Sequence, residues 1–96
     1  MGIKEFQKMI EDIYFKKDSD RGPEKSFLWF SEEVGELAEV IRKRDREKMP
    51  NEFADVLAWL FTLASMMDID MEAAAKGKFG EGCPYCKGTP CRCSEA

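Results

Sequence analysis

Histidine is missing from this chain of 96 residues. Its absence disfavours a zinc enzyme and any mechanism in which histidine acts as acid, base or nucleophile. Long apolar runs are also missing, because the longest mostly apolar stretch, residues 56–67, is too short to span a bilayer. Residues 1–8 alternate charged and single apolar positions and lack the apolar core of a secretion signal. We therefore expect a cytoplasmic protein with no membrane partner.

Basic residues are fewer than acidic ones: the chain has 15 Lys and Arg and 19 Asp and Glu, which gives a net charge of −4. A polymeric nucleic acid is therefore an improbable partner, because such binding relies on basic residues that neutralise phosphates. A small phosphorylated ligand stays compatible with this charge if a cation bridges it to the protein. The length corresponds to one small domain, and such domains often gain stability from a metal or a second subunit.

Apolar spacing predicts an all-α protein, a small bundle of about four helices, with no strand pattern. Pro23 suits the first turn of a helix and Asp70 suits an N-cap. Polar residues that end in Gly-Pro predict a loop over residues 17–22. The first two predicted helices cover residues 3–16 and 23–43, the third begins within residues 44–51 after a turn and extends to about residue 67, and the fourth covers residues 71–79. We assign residues 1–80 to the helical domain and residues 81–96 to a Cys-rich tail.

The second and third predicted helices differ in their apolar patterns. The second carries one stripe that we expect to be buried, formed by Phe27, Phe30, Val34, Leu37, Ala38 and Ile41. The third is apolar almost all round from Phe53 onward, which predicts burial on several sides. One short chain has too few helices to surround it, so we expect a second copy to complete the bundle.

Acidic residues on these two helices form two pairs with a spacing of three. Glu33 and Glu36 project to one side of the second helix, and Glu52 and Asp55 to one side of the third. If the helices pack antiparallel, the four carboxylates converge. A plain solvated face would carry cations four residues away, and no cation follows four residues after any of these acids. Hard oxygen ligands of this kind favour a Mg²⁺ or Mn²⁺ site.

The two motifs, residues 33–36 and 52–55, resemble the paired ExxE and ExxD signature of MazG-type nucleoside triphosphate pyrophosphohydrolases. The similarity extends over about residues 3–80. It implies an α-helical bundle that assembles as a homodimer or homotetramer. It also implies Mg²⁺-dependent hydrolysis of a nucleoside triphosphate, in which metal-activated water attacks the α-phosphorus and releases the monophosphate and pyrophosphate.

The resemblance assigns roles to individual residues of this chain. It makes Glu33, Glu36, Glu52 and Asp55 the Mg²⁺ ligands. Glu32 would be a further ligand or would orient the attacking water, so we predict Glu32 and Glu33 as the catalytic residues. Lys78 would pair with a substrate phosphate.

Two tryptophans lie on the same stripes as the acids. Trp29 could stack on the base of the substrate, or it could close the edge of the core or of a dimer contact. We assign Trp59 to the second role and keep Trp29 as a candidate substrate-binding residue.

The tail carries all four cysteines of the chain, as Cys83 and Cys86 followed by Cys91 and Cys93. Four thiolates can form a closed tetrahedral zinc site, and a reducing cytosol favours metal binding over disulfides. The spacing of the second pair is tighter than usual. A redox-active Cys-Pro-Tyr-Cys and an uncrosslinked tail are the competing interpretations. The sequence shows no βαβ pattern of the kind that glutaredoxin-like redox proteins have, which argues against redox catalysis.

Three functional hypotheses follow. The first is the pyrophosphohydrolase, and the second is a non-catalytic helical dimer whose zinc-knuckle tail binds a protein partner. The third is a helical phosphohydrolase that acts on a related nucleotide metabolite. Only the first and third give a reason for four converging carboxylates without cationic partners.

Overall fold

The computed structural model describes residues 1–94 and contains four helices in this part of the chain. They are α1 (Ile3–Arg21), α2 (Pro23–Arg42), α3 (Met49–Met66) and α4 (Met71–Phe79). No strand occurs among these residues, so the predicted all-α class is confirmed. No helix within residues 1–94 combines the length and the hydropathy needed to cross a membrane.

The first helix is longer than predicted, because α1 continues to Arg21 through the residues expected to form a loop. Arg21 stabilises this last turn by donating from Nη1 to Asp18 Oδ1 at 2.9 Å. The same guanidinium nitrogen donates to Ser26 Oγ of α2 at 3.2 Å. Gly22 ends the helix with φ +83° and ψ 164°, and Pro23 begins α2. The predicted loop over residues 17–22 is therefore wrong, and only Gly22 separates the two helices.

The central packing of the molecule is the seam between α2 and α3. A connection of only six residues, 43–48, joins them, and a link this short favours antiparallel neighbours. Antiparallel packing agrees with the side-chain neighbours: Trp29 stacks on Trp59, while seven residues further along α2 Glu36 lies beside Glu52. The seam therefore runs antiparallel, as the convergence of the acids requires.

The buried face of α2 is rotated from the predicted stripe. Phe27, Val34 and Ile41 are exposed, whereas Ser26 and Val40 are buried and Phe30 is partly covered. The less exposed positions are spaced alternately by four and three residues: Ser26, Phe30, Glu33, Leu37 and Val40. The α2 helix thus has two apolar stripes, and the one that contacts α3 contains Glu33.

The α4 helix is held to α1 through a buried amide. Gln7 Nε2 donates to Ser65 Oγ at 3.1 Å and to the Ile69 carbonyl oxygen at 2.8 Å. Gln7 Oε1 accepts from the Met71 backbone N–H at 2.9 Å. The predicted N-cap is also present, because Asp70 Oδ1 accepts from the Ala73 N–H at 3.1 Å. These bonds orient the start of α4 against α1.

The apolar core of the single chain is small. The buried apolar residues are Ile10, Val40, Phe61 and Ala64. The accessible surface is 7479 Å² at a mass of 11.0 kDa, whereas a compact monomer of that mass exposes about 5,600 Å². The radius of gyration is 15.8 Å, against about 12.5 Å for a compact chain of this length. The α3 helix, predicted to be buried on several sides, still exposes 51% of Phe53 and 43% of Leu57.

Candidate active site and cysteine cluster

Three of the four predicted acidic ligands form a tight group in the seam. Glu33 and Glu36 come from α2, and Glu52 comes from the first turn of α3. One carboxylate oxygen of each lies within 4.8 Å of the others. This grouping follows from the antiparallel register, which sets the middle of α2 against the beginning of α3.

Two oxygens in this group have no partner in the described structure. Glu33 Oε2 and Glu52 Oε2 are buried without a hydrogen bond. None of the ion pairs formed within residues 1–94 involves Glu33, Glu36, Glu52 or Asp55. Buried carboxylate oxygens are costly unless a proton, a hydrogen-bond donor or a cation satisfies them.

The electrostatics of the group agree with this geometry. Desolvation, followed by the charges of Glu36 and Asp55, raises the pKa of Glu33 from 4.5 to about 7. Desolvation and the charge of Glu36 likewise raise the pKa of Glu52. Glu33 and Glu52 therefore hold protons more tightly than free carboxylates do, and a bound cation would displace those protons.

Asp55 lies beside this group rather than in it. Its charge raises the pKa of both Glu33 and Glu52, so it is close to them, and its Oδ2 accepts from Asn51 Nδ2 at 3.5 Å. Glu32, the other predicted catalytic acid, is exposed on α2 next to Glu33. The structure thus gathers the acids that the sequence paired, with Asp55 and Glu32 at the edge.

An aromatic pair lies along the same seam, one turn from the acids. The Trp29 and Trp59 rings are stacked with centroids 6.4 Å apart and planes 10° from parallel. Trp29 is half exposed, and the Arg21 guanidinium lies over Trp59 at 4.7 Å from the ring centroid. This exposed ring beside the carboxylates offers a flat surface to a ligand.

A cavity of about 200 Å³ lies between Asp55 of α3 and the end of α1. Its lining includes Asp55, Trp59, Lys17 and Arg21. The two cations were missed from sequence because residues 17–22 were assigned to a loop. Continuing the helical spacing of the first helix would have placed Tyr14, Lys17 and Arg21 on one face.

Lys78 lies elsewhere in the chain. It is exposed near the end of α4, with Nζ 5.5 Å from the centroid of the Phe79 ring. It lines a cavity formed mainly by the cysteine tail. The α4 helix packs against α1, so within one chain the structure places Lys78 with the tail and not with the seam of acids.

The four cysteines of the tail converge beyond α4. Their Sγ atoms all lie within 4.8 Å of one another and form no disulfide. Cys83 Sγ is 3.7 Å from Cys93 Sγ, and Cys86 Sγ is 3.9 Å from Cys91 Sγ. Backbone N–H donors, that of Arg92 first, lower the pKa of Cys86 to about 6, whereas hydrogen bonds with Cys91 and then Cys83 raise that of Cys93 to about 11.

The helical architecture and the paired acids agree with a sequence comparison. The family model described as MazG nucleotide pyrophosphohydrolase domain matches residues 21–86. The chain therefore belongs to the MazG family, as its motifs predicted. No individual curated protein matches the chain. The match includes every predicted acidic ligand, and it ends before Cys91 and Cys93.

Proposed function

We propose that this protein hydrolyses nucleoside triphosphates to the monophosphate and pyrophosphate in the presence of Mg²⁺. Family membership supports a nucleotide pyrophosphohydrolase. The observation that carries the proposal is the pair of buried, unpartnered oxygens on Glu33 and Glu52, beside Glu36. An apolar seam with a purely structural role would gain nothing from these carboxylates, whereas a cation ligated by oxygen would satisfy them.

The donor set fits Mg²⁺ or Mn²⁺. Glu33, Glu36 and Glu52 would hold the cation, with Asp55 as a fourth ligand at the edge of the group. When bound, the cation would lower the pKa of a water molecule and neutralise charge on the phosphoryl oxygens. Glu32 is exposed beside Glu33 and would accept a proton or orient the attacking water.

The surroundings suggest how the nucleotide lies. Trp29 would stack on the base, because its ring is half exposed on the same stripe as the acids. Lys17 and Arg21 line the cavity that begins at Asp55, and Lys17 would contact an anionic ligand there, because Arg21 is already paired with Asp18. Lys78 remains a predicted phosphate contact that the position of α4 in one chain does not explain.

We also infer that the active protein is a homodimer or a homotetramer. The surface in excess of a compact monomer is about 1,900 Å² per chain, or about 3,800 Å² for two chains, which lies within the range of about 2,000–5,000 Å² that obligate interfaces bury in total. Exposed apolar residues supply this face, among them Phe27 and Val34 of α2 and Phe53 and Leu57 of α3. A second copy would cover the second apolar stripe of α2, which α3 leaves free.

The test of the activity is pyrophosphate release from a panel of canonical and modified nucleoside triphosphates with Mg²⁺. We expect release by the wild type and a loss of about two to three orders of magnitude in Glu36→Gln, because metal stabilisation of phosphoryl charge contributes several kcal/mol. Glu39→Gln is the matched control. It lies one turn further along α2, is exposed, and pairs with Lys43 at 2.7 Å, so it should retain wild-type activity.

Two other outcomes would change the proposal. Metal binding without pyrophosphate release from any triphosphate would favour a phosphohydrolase for a related nucleotide metabolite. Neither metal binding nor release would favour the non-catalytic helical dimer, in which the tail serves a protein partner.

A further inference from the structure

We infer that the tail holds one structural zinc ion on Cys83, Cys86, Cys91 and Cys93, a second metal site that is independent of the proposed hydrolysis. The family match ends at residue 86, so two of the four ligands lie outside the family domain. The cysteine cluster also shares no residue with the acidic seam.

The spacing of the sulfur atoms is that of a tetrahedral zinc site. Zinc–sulfur bonds of about 2.3 Å in a tetrahedron set the sulfur atoms about 3.8 Å apart. The two measured pairs, Cys83 with Cys93 and Cys86 with Cys91, are separated by 3.7 Å and 3.9 Å. A sulfur–sulfur bond is about 2.0 Å long, so the four thiols surround a common centre and are not paired as disulfides.

Backbone N–H groups point at the sulfur atoms, as they do where thiolates must be stabilised. Cys86 Sγ accepts from the N–H of Gly88 at 3.4 Å and from that of Arg92 at 3.2 Å. Cys91 Sγ accepts from the N–H of Cys93 at 3.3 Å. Such donors stabilise thiolates and would orient the ligands around a bound metal.

Two glycines allow the chain to close around the cluster. A Cβ atom on Gly88 would lie 2.7 Å from the Pro90 carbonyl oxygen and 3.3 Å from Cys86 Sγ. Gly82 has φ +97°, and a Cβ atom there would lie 2.8 Å from Thr89 Oγ1. A side chain at either glycine would clash with a neighbouring part of the tail. It would therefore separate residues 83–86, which carry the first cysteine pair, from residues 91–93, which carry the second.

Charge and composition support the same assignment. Four thiolates and Zn²⁺ carry a net charge of −2, and residues 83–93 contain two cations, Lys87 and Arg92, and no acid. Apart from Tyr85 and two prolines, Pro84 and Pro90, the same segment has no large apolar side chain, and Tyr85 is 83% exposed. Because no apolar core can order this segment, the zinc would supply its folding free energy as the thiols release their protons to solvent.

The first measurement is the metal content of the tag-free full chain, purified without chelator. We expect one zinc per chain in the wild type and none in Cys86→Ser or in Cys91→Ser. Ser94→Ala is the matched control in the tail, and Glu36→Gln is the control in the acidic seam, and both should keep their zinc. Iron in place of zinc, zinc retained by the cysteine variants, or metal-free chains with two disulfides by intact mass would each overturn the proposal.

A second measurement stays informative if a cysteine variant folds poorly. Lys87 and Arg92 are exposed trypsin sites that lie between the ligands. Wild-type protein, with its zinc and after the zinc has been removed by a mercurial, is exposed briefly to trypsin and analysed by mass. We expect protection with zinc, cleavage at both sites without it, and restored protection when the mercurial has been stripped with excess dithiothreitol and zinc is then added back. Equal cleavage in the three samples would contradict a structural zinc.

The two proposals fail separately. A wild type that holds no zinc but releases pyrophosphate would contradict only the zinc site, and a wild type that holds zinc but releases no pyrophosphate from any triphosphate would contradict only the hydrolysis.

Discussion

The position of Glu33 decides the electrostatics of the seam. Sequence spacing places it beside the apolar stripe of α2, but the structure places it within the stripe that packs on α3. Its carboxylate is therefore desolvated as well as close to Glu36 and Asp55, and its pKa rises to about 7. The carboxylate becomes an acid that titrates near neutral pH.

This raised pKa predicts an unusual pH dependence for the metal-free protein. The folded state binds the proton more tightly than the unfolded chain, in which the pKa is near 4.5. The stabilisation is fully present below the unfolded pKa and is lost as the pH rises through about 7. We expect the Tm without metal to fall between about pH 5 and about pH 8, and Mg²⁺ to reverse that trend because it replaces the proton.

The matched variants are Glu33→Gln and Glu39→Gln. The first removes the titrating group, so its melting curve should lose most of this pH dependence and its Tm at about pH 8 should rise by about 4 °C or more, which corresponds to about 1 kcal/mol. The second removes an exposed carboxylate whose pKa is lowered by its bond with Lys43, so the fall in Tm should persist. A wild-type Tm that does not change over this pH range would contradict the assignment.

At the scale of elements, the end of α1 brings new residues to the site. The polar run over residues 17–21 favours a loop by composition, but its side chains bond within the last turn and across to α2. Arg21 consequently lies over Trp59 and beside the cavity at Asp55. The single residue Gly22 turns the chain between the two helices.

Gly22 should be the least replaceable link between helices. Its φ of +83° with ψ 164° lies in a region that is essentially restricted to glycine, so Gly22→Ala should lower the free energy of unfolding by about 1–3 kcal/mol. Gly77→Ala, within α4, should instead raise it by up to about 1 kcal/mol. An added Cβ meets no atom within 4 Å at either position. The opposite changes in the free energy of unfolding would therefore come from the backbone conformation alone. Urea denaturation measures both, and equal effects would contradict this explanation.

At the scale of the whole molecule, one chain does not cover its own apolar surface. A cavity of about 500 Å³ between the start of α1 and the exposed side of α3 is lined by Ile3, Phe6, Leu57 and Leu60. A monomer with so little buried apolar surface would have marginal stability. Association should therefore contribute to the folding free energy itself.

Leu57→Asp tests this association. Leu57 is 43% exposed on α3 and lines that cavity, so a charge there should disrupt a dimer with little strain inside one chain. We expect light scattering to give a dimer or tetramer mass for the wild type, and a lower mass with a lower Tm for the variant. Tyr85→Asp, at an exposed aromatic residue of the tail, is the control and should retain the wild-type mass. A monomeric wild type with an unchanged Tm on dilution would contradict the proposal.

Local patterns in the sequence determined much of this protein. Helical spacing determined the start of α2 and the full extent of α4, and the step of three placed Glu33 with Glu36 and Glu52 with Asp55. These features depend on residues within one turn of each other, so they can be predicted without knowledge of the packing.

Only the tertiary structure decided which stripe of α2 is buried, because the predicted and the observed stripes share Phe30 and Leu37 and the contact with α3 selects between the two faces. It also decided that Asp55 lies at the edge of the acids, that Trp29 stacks on Trp59, and that the four sulfur atoms share one centre. Each of these is a distance between residues far apart in the chain. Such distances depend on the register of packed helices and the closure of the tail, which local periodicity does not specify.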